Sequence, residues 1–111
     1  MVPRVVYTSI AMAARISIDH TRIGAFCRTY KIRRLALFGS VLRDDFGPDS
    51  DVDVLVEFEP GARVGFIRLG AMEVELSEIL GRRADLRTAA ELSRYFRDDV
   101  LARAEVVHAV A

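Results

Sequence analysis

Two aspartates in the middle of the chain have the spacing to bind a divalent cation. Asp51 and Asp53 are separated by one residue, so in a strand their side chains project from the same face, about 6.5–7 Å apart. Two carboxylates held side by side repel each other unless a cation lies between them, and Mg²⁺ prefers hard oxygen ligands. Val52, Val54 and Val56 supply an apolar opposite face that fixes this register. The alternative is that Asp51 is a turn residue and Asp53 a solvent-facing strand residue.

A third acid, Asp85, is embedded in the short apolar segment 84–86. An unpaired buried carboxylate is costly in free energy, so this side chain requires a partner. A metal ion shared with the aspartate pair is one candidate, and an ion pair with Arg82, Arg83 or Arg87 is the other.

Gly39 and Ser40 follow the apolar run 35–38 and have the chemistry of a phosphate site. A glycine there lets the backbone turn sharply and lets a ligand approach where a Cβ would otherwise stand. A serine opening the next helix offers a hydroxyl beside unpaired backbone N–H groups. Arg43 either binds a phosphate or pairs with the acids that follow it, and the sequence leaves both interpretations open.

These residues need a small framework of strands and helices to position them. Residues 35–38 predict a strand buried on both faces, 47–50 a turn, 52–58 a second strand and 84–86 a brief third strand. The first predicted helix is capped by Ser17 or Asp19 and has the apolar stripe Ile23, Phe26, Cys27 and Tyr30.

Three more helices are expected in the second half of the chain. One has Phe66, Leu69, Glu73, Leu76 and Leu80 on a single face and ends at Gly81. The next opens with a capping box, Thr88 with Glu91, and continues through Leu92, Tyr95 and Phe96; the last carries Val100, Leu101, Ala104 and Val107. The predicted fold is therefore α/β (α+β), a small mixed β-sheet flanked by helices in the order helix–strand–strand–helix–strand–helix–helix.

Composition limits the classes to which the chain can belong. A length of 111 residues with 51% hydrophobic content predicts one globular domain, which we place at residues 18–111 behind a flexible leader at 1–17; Met1 or Met12 would be the start. The single cysteine, Cys27, excludes an internal disulfide, and with two histidines there is no thiolate or imidazole metal cluster. This favours a reducing cytoplasm, and no apolar run approaches the ~20 residues that cross a membrane.

The formal charge is zero, but its distribution is uneven. Residues 1–43 hold eight basic groups and one acid, residues 44–81 hold two basic groups and ten acids, and residues 82–111 are nearly balanced. A balanced chain lacks the basic footprint of a dedicated nucleic-acid binder. The acidic middle indicates either a carboxylate site completed by a cation or a solvated acidic face, which is the default for a run of charges, and the spacing of the acids has to decide between them.

Taken together, the segments 39–43 (GSVLR) and 49–53 (DSDVD) resemble the signature of the minimal nucleotidyltransferase domain, in the DNA polymerase β-like superfamily. That signature is Gly-Ser closing a strand, an Arg three residues after the Ser, and a Ser-Asp-x-Asp about ten residues on. Asp85 fits the place of the family's third acid. One departure is that residues 44–47 read Asp-Asp-Phe-Gly where the family usually has a glycine soon after the arginine.

The resemblance implies a site with two Mg²⁺ ions and ATP as substrate. Asp51 and Asp53 would bind the ion that holds the nucleotide triphosphate, and Asp53 and Asp85 would share a second ion that orients the attacking hydroxyl. Ser40 and Gly39, with Arg43 as a further candidate, would bind the nucleotide phosphates.

The resemblance also implies a partner. The chain is similar to the MntA-type antitoxins of HEPN/MNT toxin–antitoxin pairs, which transfer AMP from ATP to a tyrosine of a HEPN ribonuclease toxin, so a hetero-oligomer is expected. The alternatives are a non-catalytic antitoxin that neutralises its partner by occlusion and a homo-oligomer that nucleotidylates a small molecule. All three acids together with Ser40 favour the enzyme.

Overall fold

The fold is a mixed five-stranded sheet with helices packed on it. The computed structural model describes residues 5–6, 16–43, 46–92, 94–95 and 97–110. The elements are β1 (Val5–Val6), α1 (His20–Thr29), β2 (Ile32–Phe38), β3 (Val52–Phe58), α2 (Phe66–Leu80), β4 (Ala84–Arg87), α3 (Arg97–Arg103) and β5 (Glu105–Val110), with 3-10 turns at Gly39–Leu42 and Ala89–Glu91. The predicted fold class is confirmed.

Strand β2 lies at the centre of the sheet, as its apolar run predicts. The strand order is β1-β5-β2-β3-β4, with β2 antiparallel to both of its neighbours and β3 parallel to β4. One face of the sheet, with α1 and α2, forms the hydrophobic core. Because strand side chains alternate, the core residues Val52 and Val54 leave Asp53 on the opposite face.

Helix α1 forms as its cap and stripe predict. Of the two candidate caps it is Asp19 that begins the helix, since its Oδ1 accepts the N–H of Arg22 at 3.1 Å. Ile23, Phe26 and Cys27 are buried. Burial raises the pKa of the Cys27 thiol to about 12, with a small opposing effect of the Arg28 charge, so Cys27 is a core residue.

Helix α2 confirms its predicted limits but not the whole of its predicted face. Gly81 ends the helix with a φ of 69°, the left-handed cap expected of a glycine. Leu76 and Leu80 are buried, but Phe66 is 93% exposed. The prediction for Phe66 was wrong. Phe66 lies within about 40° of the buried Leu80 around the helix, so its angular position is not the reason for its exposure. It is the first residue of α2, and the hydrogen bonds that join this side of the helix to β4 are made about two turns further on, by Glu73 and Ser77. Met72 occupies the core position instead.

The last predicted helix was wrong at its C-terminal end. Helix α3 ends at Arg103, and residues 105–110 form β5, which pairs antiparallel with β2. Val107 therefore lies in a strand and is buried with His108. The physical reason is non-local: β2 has a second edge whose N–H and C=O groups need partners, and a β-branched segment fits a sheet better than a helix.

The predicted helix after Thr88 was also wrong in extent. The capping box between Thr88 and Glu91 is present, but it closes only the 3-10 turn Ala89–Glu91, after which Leu92 is extended. Of the residues described there, Leu92 is buried but Tyr95, three positions on, is 85% exposed, so these two do not form the buried face that would support a helix. Phe96 lies outside the described residues.

The leader prediction, residues 1–17, falls mostly outside the described residues and stays a prediction. Within it, Val5–Val6 form β1 and pair with Val110 and Ala109 of β5.

Candidate active site

The sheet brings two of the predicted acids side by side. The parallel register of β3 and β4 pairs Asp53 with Asp85, and Phe38 at the end of β2 lies opposite Asp53. Neighbouring strands are about 4.8 Å apart, so the two aspartates lie one strand spacing from each other. Asp51 is exposed and immediately precedes β3, two residues from Asp53. All three acids therefore converge at the same end of β3.

The pKa of Asp53 reflects the closeness of the three acids. The pKa of Asp53 is raised, chiefly because the carboxyl is partly buried and then because the charges of Asp85 and Asp51 disfavour its ionised form. The positive charges of Arg87 and Arg43 act in the opposite direction. The charges of Asp85 and Asp51 thus both repel the ionised carboxylate of Asp53, and a bound cation would relieve that repulsion.

Gly39 makes room for the Asp53 carboxylate. Its φ is 75°, a left-handed conformation that L side chains rarely adopt, and it begins the 3-10 turn after β2. A Cβ built on Gly39 would lie 3.2 Å from Cγ of Asp53 and closer still to Oδ2. The sharp turn expected of this glycine is confirmed. The space that its missing side chain leaves contains the carboxylate of Asp53.

Ser40 and Arg43 belong to the same turn. Ser40 is half-buried, and its carbonyl oxygen accepts the N–H of Arg43 at 2.8 Å. The guanidinium of Arg43 is exposed, and its charge acts on Asp53. Asp44 and Asp45, the alternative partners of Arg43, lie outside the described residues. The structure thus places the predicted phosphate-binding residues beside the acids.

Asp85 has the ion pair that the sequence allowed as an alternative. Of the three candidate arginines it is Arg87 that pairs with it, at 3.1 Å, and Arg87 also lies 3.9 Å from Glu91. The side chain of Asp85 is 35% exposed, so the pair is open to solvent and its contribution to stability is small. An exposed pair of this kind can exchange partners at little cost.

The donor set fits a hard divalent cation, although the side chains are not all turned toward one point. Among the described residues, no three acidic, histidine or cysteine side chains are grouped closely enough to ligate a metal as they stand. The carboxylate of Asp85 is paired with Arg87. Carboxylate oxygens are what Mg²⁺ prefers. Burial and then the charges of Asp85 and Asp51 raise the pKa of Asp53, and a bound cation would offset the part that is due to those charges.

Sequence reasoning considered Arg82 only as a partner of Asp85 and did not predict that it binds the loop before Asp51. Its guanidinium donates to the carbonyl oxygens of Gly47 and Ser50, the latter at 3.2 Å, and lies 4.4 Å from the centre of the Phe46 ring. The loop is closed on itself as the turn prediction requires, with Ser50 N donating to Gly47 O at 3.1 Å. Arg82 thereby fixes the approach of the chain to Asp51 and β3.

Sequence reasoning also missed how the free edge of β4 is protected. The N–H of Leu86 donates to Glu73 Oε2 and that of Ala84 to Ser77 Oγ, both at 2.9 Å. These are side chains of α2, one helical turn apart, and they hold the strand that carries Asp85. The signal was present in the sequence as the single acid that interrupts the apolar face of α2.

An open groove of about 830 Å³ lies beside the acids, between α2 and the edge of β4. Asp51 and Asp85 line it together with Arg83, Val74 and Glu78. A groove that is open to solvent and lined by both carboxylates and arginines suits a charged substrate better than an apolar one.

No helix in the described parts of the chain is long and apolar enough to cross a membrane.

Comparison with known proteins identifies the family of the chain. A family model described as "Nucleotidyltransferase domain" matches residues 22–107. The protein adenylyltransferase MntA of Thermococcus cleftensis is 38% identical over 65% of this chain and 71% of its own length. A solved structure assigned as a minimal nucleotidyltransferase is 30% identical, covers 79% of this chain and 86% of that one, and has a TM-score of 0.62.

A further structure shares the fold. It is the crystal structure of a toxin–antitoxin with AMP-PNP, with a TM-score of 0.64 and 20% identity over 80% of this chain and 72% of that one. The family match covers most of the chain, including the Gly39 turn and all three acids. The chain therefore belongs to the nucleotidyltransferase family, as a nucleotidyltransferase of the minimal type.

Proposed function

We propose that this nucleotidyltransferase is an Mg²⁺-dependent antitoxin that transfers AMP from ATP to a tyrosine of a partner HEPN ribonuclease toxin. The observation that carries the proposal is the pairing of Asp53 with Asp85 on parallel strands, beside the Gly39 turn. The likeness to a protein named as the adenylyltransferase MntA supports the choice of AMP and of a protein acceptor. The fold shared with a toxin–antitoxin that contains AMP-PNP supports a toxin partner.

The proposed roles are those that the resemblance to the minimal nucleotidyltransferase domain implies. Asp51 and Asp53 would hold the metal ion at the nucleotide triphosphate, and Asp53 and Asp85 would hold the second ion. When bound, the two ions supply charge stabilisation for the attacking and leaving oxygens of an in-line displacement. Ser40 and the backbone N–H groups of its turn hold the β- and γ-phosphates.

The proposed transfer of AMP is a displacement at the α-phosphorus of ATP. The acceptor oxygen forms a bond to the α-phosphorus, the bond from that phosphorus to the bridging oxygen breaks, and pyrophosphate leaves. The proton of the acceptor hydroxyl passes to solvent. Asp85 must first leave Arg87, and since that ion pair is solvent-exposed the exchange costs little.

The test is co-expression with the product of the neighbouring reading frame, followed by the intact mass of that product. The proposal predicts a mass gain of one AMP that disappears with Asp51→Asn or Asp53→Asn. Asp49→Asn is the matched control, because Asp49 is an exposed acid of the same loop and is not assigned to the site.

The non-catalytic alternative gives a different result in the same experiment. If the double variant Asp51→Asn/Asp53→Asn still neutralises the partner and no mass change is seen with the wild type, the chain acts by occlusion. The ion pair of Asp85 with Arg87 is the observation that keeps this alternative in view, since it occupies one of the three acids. Function in the cytoplasm, as a hetero-oligomer, is part of the proposal.

A further inference from the structure

A second cavity, of about 400 Å³, lies on the face of the sheet that carries the acids. Its floor contains the cross-strand pair Ala36 and Leu55, which are buried but lie outside the core that α1 and α2 cover. Because side chains alternate along a strand, Leu55 and Asp53 project from the same face of β3. The cavity and the acids therefore lie on one surface of the sheet.

The walls of this cavity come from the two short elements that follow β4. Thr88 and Ala89 lie at the 3-10 turn, and Leu101 and Ala104 lie at the end of α3. Leu101 is 43% exposed, so one apolar wall remains accessible to solvent. A concave site with an apolar floor and apolar walls suits an apolar ring better than a phosphate. We call it the sheet-face cavity, defined by Ala36, Leu55, Thr88, Ala89, Leu101 and Ala104.

The sheet-face cavity and the Gly39–Leu42 turn lie on opposite sides of the acids. Phe38 pairs with Asp53 and Ala36 with Leu55, so the cavity floor lies two residues from the acids, about 6.5–7 Å along the strands. The turn continues from Phe38 in the other direction. The order along this face is therefore turn, acids, cavity.

An in-line displacement gives the two sides different roles. The attacking and the leaving oxygens lie on opposite sides of the α-phosphorus. With the β- and γ-phosphates at Ser40, pyrophosphate leaves toward the turn, and the acceptor oxygen approaches from the sheet-face cavity. The adenosine is joined through an oxygen that neither attacks nor leaves, so it lies to the side of this line, where the open groove at the edge of β4 is found.

We propose that the sheet-face cavity binds the phenol ring of the acceptor tyrosine, with the hydroxyl directed toward Asp53 and Asp85. A tyrosine has a flat apolar body and a polar tip, and it extends about as far as two residues of a strand. A serine or threonine has no ring to occupy the cavity, so the cavity selects tyrosine. The inference rests on the proposed function, because it names the place where the acceptor of that reaction binds.

Filling the sheet-face cavity tests the proposal. Ala89→Leu and Ala104→Leu each add apolar bulk to a wall, and Ala90→Leu and Ala102→Leu are matched controls, because these alanines are exposed on the same elements and outside the lining. The filled variants should lower kcat/KM for AMP transfer to the product of the neighbouring reading frame by at least about tenfold, and the controls should leave it unchanged. All four variants should bind a non-hydrolysable ATP analogue with Mg²⁺ as the wild type does, which shows that they are folded.

Binding of p-cresol, the side chain of tyrosine as a free molecule, gives a readout that does not require transfer. A molecule this small binds weakly, so the measurement is the shift of the Leu55 and Leu101 methyl signals in NMR spectra of the full chain. We expect p-cresol to shift both signals in the wild type and in Ala90→Leu, and neither in Ala89→Leu.

The outcomes separate this inference from the proposed function. Filled variants that transfer AMP as fast as the wild type, or p-cresol that shifts neither methyl signal, would overturn the inference. If adenosine shifts these signals and p-cresol does not, the cavity belongs to the nucleoside and the inference is wrong. A wild type that binds p-cresol in the cavity but transfers no AMP refutes the proposed function alone, since the cavity still binds a phenol ring.

Discussion

Replacement of Gly39 by alanine tests whether the turn after β2 is built around the Asp53 carboxylate. An alanine at a φ of 75° pays about 1–2 kcal/mol for the left-handed conformation. Its Cβ would also lie 3.2 Å from Cγ of Asp53 and closer to Oδ2, so the aspartate must leave its rotamer. Moving a side chain off its rotamer in this way lowers the free energy of unfolding by about a further 0.5–1.5 kcal/mol.

Gly61 supplies the matched control. It has a φ of 84°, and a Cβ built on it meets no heavy atom within 4 Å, so Gly61→Ala carries the backbone cost alone. The change in the unfolded chain is the same for both variants and cancels in the comparison. Gly39→Ala should therefore melt below Gly61→Ala by roughly 2–12 °C, since 1 kcal/mol shifts the midpoint of a domain of this size by about 4–8 °C.

A double-variant cycle assigns the extra cost to Asp53. In an Asp53→Ala background the nearest remaining atom of that side chain is its Cβ, at 3.4 Å, which is ordinary van der Waals contact. Gly39→Ala should then cost no more than Gly61→Ala. Equal melting temperatures for the two glycine variants in the wild-type background, with nucleotide binding intact in both, would show that Gly39 is only a turn residue.

Three further outcomes follow from the described contacts. Asp53→Asn should raise the melting temperature of the metal-free protein at pH 7, because the pKa of Asp53 is raised in the folded state and its ionised form is disfavoured there. This gain should vanish below about pH 3.8, where the carboxyl group is protonated in both the folded and the unfolded chain. A lower melting temperature of the variant at pH 7 would contradict the prediction. Cys27, whose thiol pKa is about 12, should react with a thiol reagent at pH 8 only after unfolding, and rapid labelling of the native chain would count against its burial. Glu73→Ala and Ser77→Ala should each cost about 1 kcal/mol in denaturant unfolding by uncapping the β4 edge, and no loss would mean that water replaces the side chains there.

Local signals in the sequence were sufficient where neighbouring residues decide the structure. The helix cap and the left-handed Gly81 depend on atoms within one turn, so residue types predicted Gly81 and limited the cap to Ser17 or Asp19, of which the structure shows Asp19. The convergence of Asp53 and Asp85 was expected from the resemblance to the minimal nucleotidyltransferase domain, which gives the two acids a shared ion. Their pairing in register nevertheless had to come from the structure.

Non-local pairing explains what the sequence did not predict. Residues 105–110 form a strand because the free edge of β2 is available to pair with them. The amino-acid sequence of that segment does not show that such an edge lies beside it. In the same way Arg82, Arg83 and Arg87 are equivalent candidates in sequence, and only the fold shows that Arg82 braces the 47–50 loop while Arg87 pairs with Asp85. The sequence thus supplied the candidate residues of the site, and the fold determined their contacts.

The central claim is that Asp51, Asp53 and Asp85 hold the divalent cations through which a nucleotide binds beside Ser40. Calorimetric titration of the full chain with a non-hydrolysable ATP analogue, with and without Mg²⁺, tests it most directly. The wild type and Asp49→Asn should bind the analogue only when Mg²⁺ is present, and Asp53→Asn should not bind it measurably. Binding that persists without a divalent cation, or that Asp53→Asn leaves unchanged, would contradict the account.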